Sequence, residues 1–213
     1  MTEAPTDPKE LYKIIKQQED LITKLTERVS FLEKKEKERE DQKENQYYIS
    51  KNSKIIENDR EKDLALRKWI HPGRENFQFN LLFRMSRDGK QCSEYHKLCD
   101  NKDNLLTIIE TSSGKKFGGF SSKSWGVPNQ FIERAFMFSL DNMKKYERLN
   151  NNNSKHDGSK YGPVFGNAWD VFIDGKMMTG LEQINQDSVF FKKFEMTEKG
   201  AFGVKEIEVF QIE

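Results

Sequence analysis

The sequence predicts an α+β, mainly β fold: a two-sheet antiparallel β-sandwich with flanking helices, preceded by an N-terminal coiled-coil helix. Three observations carry this expectation. Apolar residues recur at three- and four-residue spacing through a charged leading segment. Behind it, short apolar runs alternate with turn residues, the texture of an antiparallel β domain. Composition divides between the same two parts. Hydrophobic residues make up 35% of the 213 and charged residues 33%, but most of the phenylalanines and glycines fall in the second part, which alone can bury a core.

Residues 1–8 read as a disordered tail, and residues 9–46 as a coiled coil followed by a charged helical linker. Asp7 is placed to cap a helix that has Pro8 in its first turn. Ile15, Ile22 and Val29 then occupy one seam position (a), and Leu11, Gln18, Leu25 and Leu32 the other (d). β-Branched residues at a with leucine at d favour a parallel pair of helices. Arg28 (g) faces Glu33 (e) of the partner helix, while Gln18 weakens the seam and helps fix its register. The pattern lasts only about three heptads, so the expected homodimer is weak and concentration-dependent. A single amphipathic helix folded back on the body is the alternative. Beyond Leu32 the seam becomes charged, at Glu36 and Arg39, and nothing remains to bury. A basic DNA-contacting helix is disfavoured there, because the charges are mixed and follow the heptads instead of preceding them.

Residues 50–213 form the predicted body. Ser53 to Ile70 carries a weaker helical pattern, closed by His71-Pro72-Gly73. Phe77 to Met85 reads as a strand and Ser86-Arg87-Asp88-Gly89 as a loop. Ser93 is expected to cap a short helix through Tyr95, Leu98 and Cys99. Leu105 to Thr111 is an apolar, β-branched strand that turns at Ser112-Ser113-Gly114 into Lys116 to Phe120. Ala135 to Leu140 is another strand, and Asn150 to Asn153 opens a polar, mobile loop. Val164-Phe165, Asp170 to Ile173, Ser188 to Phe194 and Val204 to Ile212 supply the remaining strands, with a turn at Asp174-Gly175. Several runs are apolar at successive positions. Both faces must then be covered, which points to two packed sheets with helices outside.

Charge and composition narrow the function classes. The formal net charge is +1, and Lys9 to Glu44 alternates signs in near balance. Nucleic-acid binders concentrate positive charge to release counterions from phosphate. Scattered lysines that gather on folding keep nucleic acid open as a partner, but it is not favoured. Met1 to Lys9 lacks an apolar signal core, and no stretch is apolar enough for a transmembrane segment. The expectation is a soluble intracellular protein, cytoplasmic or nuclear, whose Cys92 and Cys99 are reduced thiols.

Four passages, in order, resemble the TLDc family (TBC, LysM, domain, catalytic). They are Leu81-Leu82-Phe83-Arg84-Met85-Ser86-Arg87-Asp88-Gly89; Tyr95-His96-Lys97-Leu98-Cys99-Asp100-Asn101-Lys102, running into Leu106-Thr107-Ile108-Ile109; Lys116-Phe117-Gly118-Gly119-Phe120; and Tyr161-Gly162-Pro163-Val164-Phe165-Gly166, with Glu208-Val209-Phe210 near the end. The resemblance covers roughly Ser53 to Glu213. It implies a sandwich of two antiparallel sheets, no securely assigned catalysis, a role in oxidative-stress protection, and binding to the vacuolar proton-pumping ATPase (V-ATPase). It marks Asp88, Gly89, His96, Asp100, Gly118, Gly119, Gly162, Gly166 and Glu208 as family-motif or partner-contact residues. One departure is Asn167-Ala168-Trp169, where many members carry further glycines.

Weighed as chemistry, these residues favour structure over catalysis. Gly118-Gly119 reads as a bulge or a close approach of backbones, not a ligand loop. His96 and Asp100 lie four apart, as an acid/base pair would, but so do a cap and a surface pair. No positioned nucleophile accompanies them. Cys92, His96 and Cys99 fall short of the four ligands of structural zinc. Glu208 interrupts an apolar strand. Alternation alone makes it an outward-facing residue, with partner contact as the other reading. Trp125 and Trp169 read as core. No catalytic site, metal or cofactor is expected. The leading expectation is a protein-interaction module; a stress-responsive DNA-binding regulator dimerised through the coil is the alternative.

Overall fold

The computed structural model describes residues 7–47, 49–73, 77–124, 134–147, 160–165, 171–182 and 200–213. Gly166, Trp125, Trp169, the Asn150 to Asn153 loop and the strand expected at Ser188 to Phe194 lie outside them. The chain forms two compact units, Met1–Gln46 and Tyr47–Glu213. Almost all of the first is one helix, α1 (Pro8–Tyr47). Asp7 caps it as expected: its carboxylate accepts the Lys9 N–H at 3.1 Å, and its carbonyl accepts the Leu11 N–H at 3.0 Å. The seam residues Leu11, Ile15, Ile22, Leu25, Val29 and Leu32 are all exposed.

In the second unit the helical stretch is shorter than the periodicity suggests. A 3-10 turn (Ile49–Lys51) and irregular turns come first, and Glu57 adopts φ 53°, which no helix continues through. α2 (Arg60–Ile70) then starts at Asp59, whose side chain accepts the Lys62 N–H, and ends at His71. The predicted 86–89 loop is a single helical turn, α3 (Met85–Asp88), closed by Gly89. α4 (Cys92–Cys99) is capped by extended Gln91; Ser93 sits inside its first turn and is not the cap.

The strands are β1 (Phe79–Arg84), β2 (Leu105–Thr111), β3 (Lys116–Ser121), β4 (Ala135–Ser139), β5 (Lys144–Glu147), β6 (Val164–Phe165), β7 (Val171–Ile173), β8 (Thr179–Glu182) and β9 (Gly200–Ile212). β5 and β8 have no counterpart in the sequence reading. β5 is a charged edge strand whose one buried residue is Tyr146, too little to show a period. Among the described residues the strands join into one antiparallel path, β5-β4-β3-β2-β9-β8-β7-β6, with β1 also on β9. This replaces the two separate sheets of the sandwich expectation with a single open sheet. The reason is β9: its 13 residues are long enough to pair with β8 through Gly200–Gly203 and with β2 and β1 further on.

Both faces of the sheet are covered, as the apolar runs require. Leu105, Ile109, Phe117, Ile207 and Val209 form one cluster with Tyr95 and Cys99 of α4 and with Phe165, Val171 and Ile173. Leu106, Ile108, Phe120, Phe210 and Ile212 form the other with Ile49, Ile55 and Ile56 and with Leu66 and Ile70 of α2. Period-2 alternation along β2 and β9 feeds both clusters. The Gly118-Gly119 pair is a close approach, not a bulge, since β3 keeps register with both neighbours. A Cβ on Gly118 would stand 1.9 Å from the Thr107 carbonyl oxygen, and one on Gly119 2.4 Å from the Phe165 ring.

Candidate functional site

Glu208 shares a β9 face with Phe210 and Ile212, and that face is roofed by residues 49–56. The side chain is fully buried, which corrects the outward-facing expectation; alternation points to water only where the outer face is open. Its carboxylate is well satisfied. One oxygen accepts the Lys54 N–H at 2.9 Å and the Arg84 Nε–H at 2.7 Å; the other accepts the Ser53 hydroxyl. Ser53 Oγ in turn accepts the Ile55 and Ile56 N–H groups, and Arg84 also donates to the Asn52 carbonyl. Glu208 therefore fastens the 52–56 segment and β1 to the middle of the sheet.

Asp88 and Gly89 finish α3. Asp88 accepts the Arg84 N–H at 2.8 Å and both ends of the Arg87 guanidinium, at 2.7 and 2.8 Å. The Arg87 hydrogen bonds hold its carboxyl below the ordinary range, with the Arg84 N–H adding to the effect. Gly89 takes φ 117°, a conformation that side chains disfavour. On α4, His96 and Asp100 do meet. His96 Nδ1 lies 2.9 Å from Asp100 Oδ1, and Nε2 lies 2.9 Å from the Tyr161 carbonyl oxygen. Both ring nitrogens thus face acceptors. The ring ties α4 to the Tyr161-Gly162 passage, where the Gly162 N–H donates to Ile173 at 3.0 Å. This is a structural tie with no nucleophile in it.

Both cysteines are thiols. Burial first, then the Asp100 and Asp88 charges, push the Cys99 thiol up to about 12, which leaves it without thiolate character. Among the described residues no group of three His, Cys, Asp or Glu side chains could hold a metal ion, so Cys92, His96 and Cys99 do not converge.

A different feature escaped the sequence reading. A cavity of about 520 Å³ opens between residues 51–54 and β1, with Lys51, Lys54, Arg84 and Arg87 around it and Phe79 and Leu81 beneath. Among the described residues that line it, none is a carboxylate. Its four cations are spread over 36 positions and gather only when Glu208 draws the 52–56 segment onto β1, so no local motif announces them. β1 also leaves an edge to this cavity. Gln78 and Glu213 exchange two backbone hydrogen bonds, so Asn80, opposite Gln211, is the next residue facing β9. Phe79 and Leu81 turn their N–H and C=O groups the other way. The Ile212 N–H, donated to Asn104 across the opposite edge of β9, confirms the parity.

The family description that matches this chain is the TLDc domain, over residues 49–213. The chain belongs to the TLDc family. No curated protein matches it. The match begins at Ile49, the first residue of the 49–56 stretch that roofs Glu208, so that stretch belongs to the TLDc domain and not to the helix before it. The motif passages of the domain map onto β1 with α3, α4 with β2, β3, and β6 with the end of β9. Among the described residues no helix is long and apolar enough to cross a membrane.

Proposed function

We propose that this TLDc protein is a protein-interaction module in oxidative-stress protection that binds and regulates the vacuolar proton-pumping ATPase. Family membership supports the ATPase and stress roles. The observation that carries the binding reading is how the motif side chains are used. Glu208 and His96 hold distant elements together, Asp88 closes α3 onto the end of β1, Asp100 engages the His96 ring, and Cys99 is buried and protonated. Residues with acid, base or nucleophilic potential are thus committed to building a rigid surface, which is what recognition requires. α1 adds an exposed apolar stripe for weak self-association.

Co-purification from cells, under conditions that keep the proton pump assembled, tests this. The full chain and a fragment lacking residues 1–46 should both recover ATPase subunits. Recovery of no subunit by either chain would remove the ATPase from the reading.

A further inference from the structure

We propose that the groove beside β1 docks an extended acidic segment of the partner protein, which pairs as an added strand with the edge of β1 that no described strand covers. This rests on the protein-binding reading and names the surface and the partner chemistry. Three features of the groove converge. First, Phe79 and Leu81 present two N–H and two C=O groups to it, the donor–acceptor alternation that another strand satisfies. Second, the rim is cationic. Arg84 and Arg87 are held in place by Glu208 and Asp88, while Lys51 and Lys54 are exposed and have no ion-pair partner among the described residues. With no carboxylate among the described lining residues, an acidic strand meets complementary charge along its length. Third, Leu81 is only partly buried, so an inward-facing side chain of the added strand finds hydrocarbon there.

The same charges explain how an unpaired edge is tolerated. Lysines beside an open edge deter pairing between identical copies, since each brings the same positive rim to the other. They admit an acidic strand and reject a basic one. Nucleic acid fits less well. Single strands are held by stacking on exposed aromatic faces, whereas Phe79 is only 5% exposed and has its ring engaged with Phe77 and Phe210.

The test uses the full chain, isotope-labelled, with a synthetic peptide alternating threonine and glutamate. Controls are its threonine–lysine counterpart and a single-stranded oligonucleotide. The acidic peptide should slow hydrogen exchange at the Phe79 and Leu81 amides, while the lysine peptide should not bind. The exposed pair Lys51→Glu with Lys54→Glu should weaken binding about tenfold or more. Leu81→Pro should abolish pairing without touching the β9 ladder, because its N–H faces the groove. Three results would overturn the proposal: no binding at low salt, binding that leaves both amides unprotected, or an oligonucleotide that binds more tightly than the acidic peptide. A cellular partner retained by both altered chains would sink the groove and leave the binding function standing. A chain that bound the peptide but recovered no cellular protein would do the reverse.

Discussion

Glu208 carries a charge into hydrocarbon, and the sign of its effect depends on what surrounds it. With Arg84, Ser53 and the Lys54 N–H in place, the desolvation cost is offset; with the carboxylate gone, those partners are left stranded. Glu208→Ala should cost roughly 3–5 kcal/mol, the usual result of breaking one side of a buried pair. Urea denaturation measures it, and an unchanged midpoint would show that the tie contributes nothing. Asp88 gives a pH dependence of defined sign. Its carboxyl is depressed in the folded protein, so its contribution is complete above the ordinary carboxylate pKa of about 4. It is lost as pH falls through the lower folded value. Asp88→Asn should therefore lower stability at neutral pH and flatten the acid limb of the stability curve below pH ~4. A wild-type acid limb in the variant would place the titration elsewhere.

At the scale of elements, α1 and the strands were legible to different degrees. The heptad seam and the Asp7 cap are local patterns, and α1 begins where they place it. β2 and β3 were equally clear, because continuous apolar runs and a Ser-Ser-Gly turn are read within a dozen residues. α3 was missed because four residues show no period, and β8 because its buried positions are Gly180 and Glu182, which give no apolar run, although it pairs with β7 across the expected Asp174-Gly175 turn. Glu208 was singled out but misassigned, since the roof over it comes from residues 155 positions away. The seam itself makes a clear prediction. Ile22 and Leu25, at a and d of the seam, are 62% and 55% exposed. Replacing both with asparagine should abolish concentration-dependent dimer formation in analytical ultracentrifugation and leave the melting of the body unchanged. An unchanged sedimentation profile would mean that the seam does not self-associate.

For the molecule as a whole, the boundary between its parts falls where α1 ends, and the segment clamped by Glu208 belongs to the second part. A fragment beginning at Tyr47 should melt within ~2 °C of the full chain, because the second unit, Tyr47–Glu213, contains both core clusters itself. A fragment beginning at Glu57 loses Ser53, Lys54, Ile49, Ile55 and Ile56 together. It should lose cooperative unfolding by circular dichroism. If it melts like the longer fragment, the 49–56 segment is dispensable.

β9 has a kinetic consequence. It follows β1, β2 and β8 in the chain, yet it is the strand that joins all three. As the polypeptide leaves the ribosome, these strands emerge with the edges that face β9 open, and β1 and β2 wait for roughly 115 and 90 further residues before the sheet can close. Such delayed, long-range pairing is slow and leaves strand edges exposed to other chains meanwhile. The nascent protein should consequently depend on chaperone holding until β9 arrives, and slowing translation before Gly200 should raise the aggregated fraction.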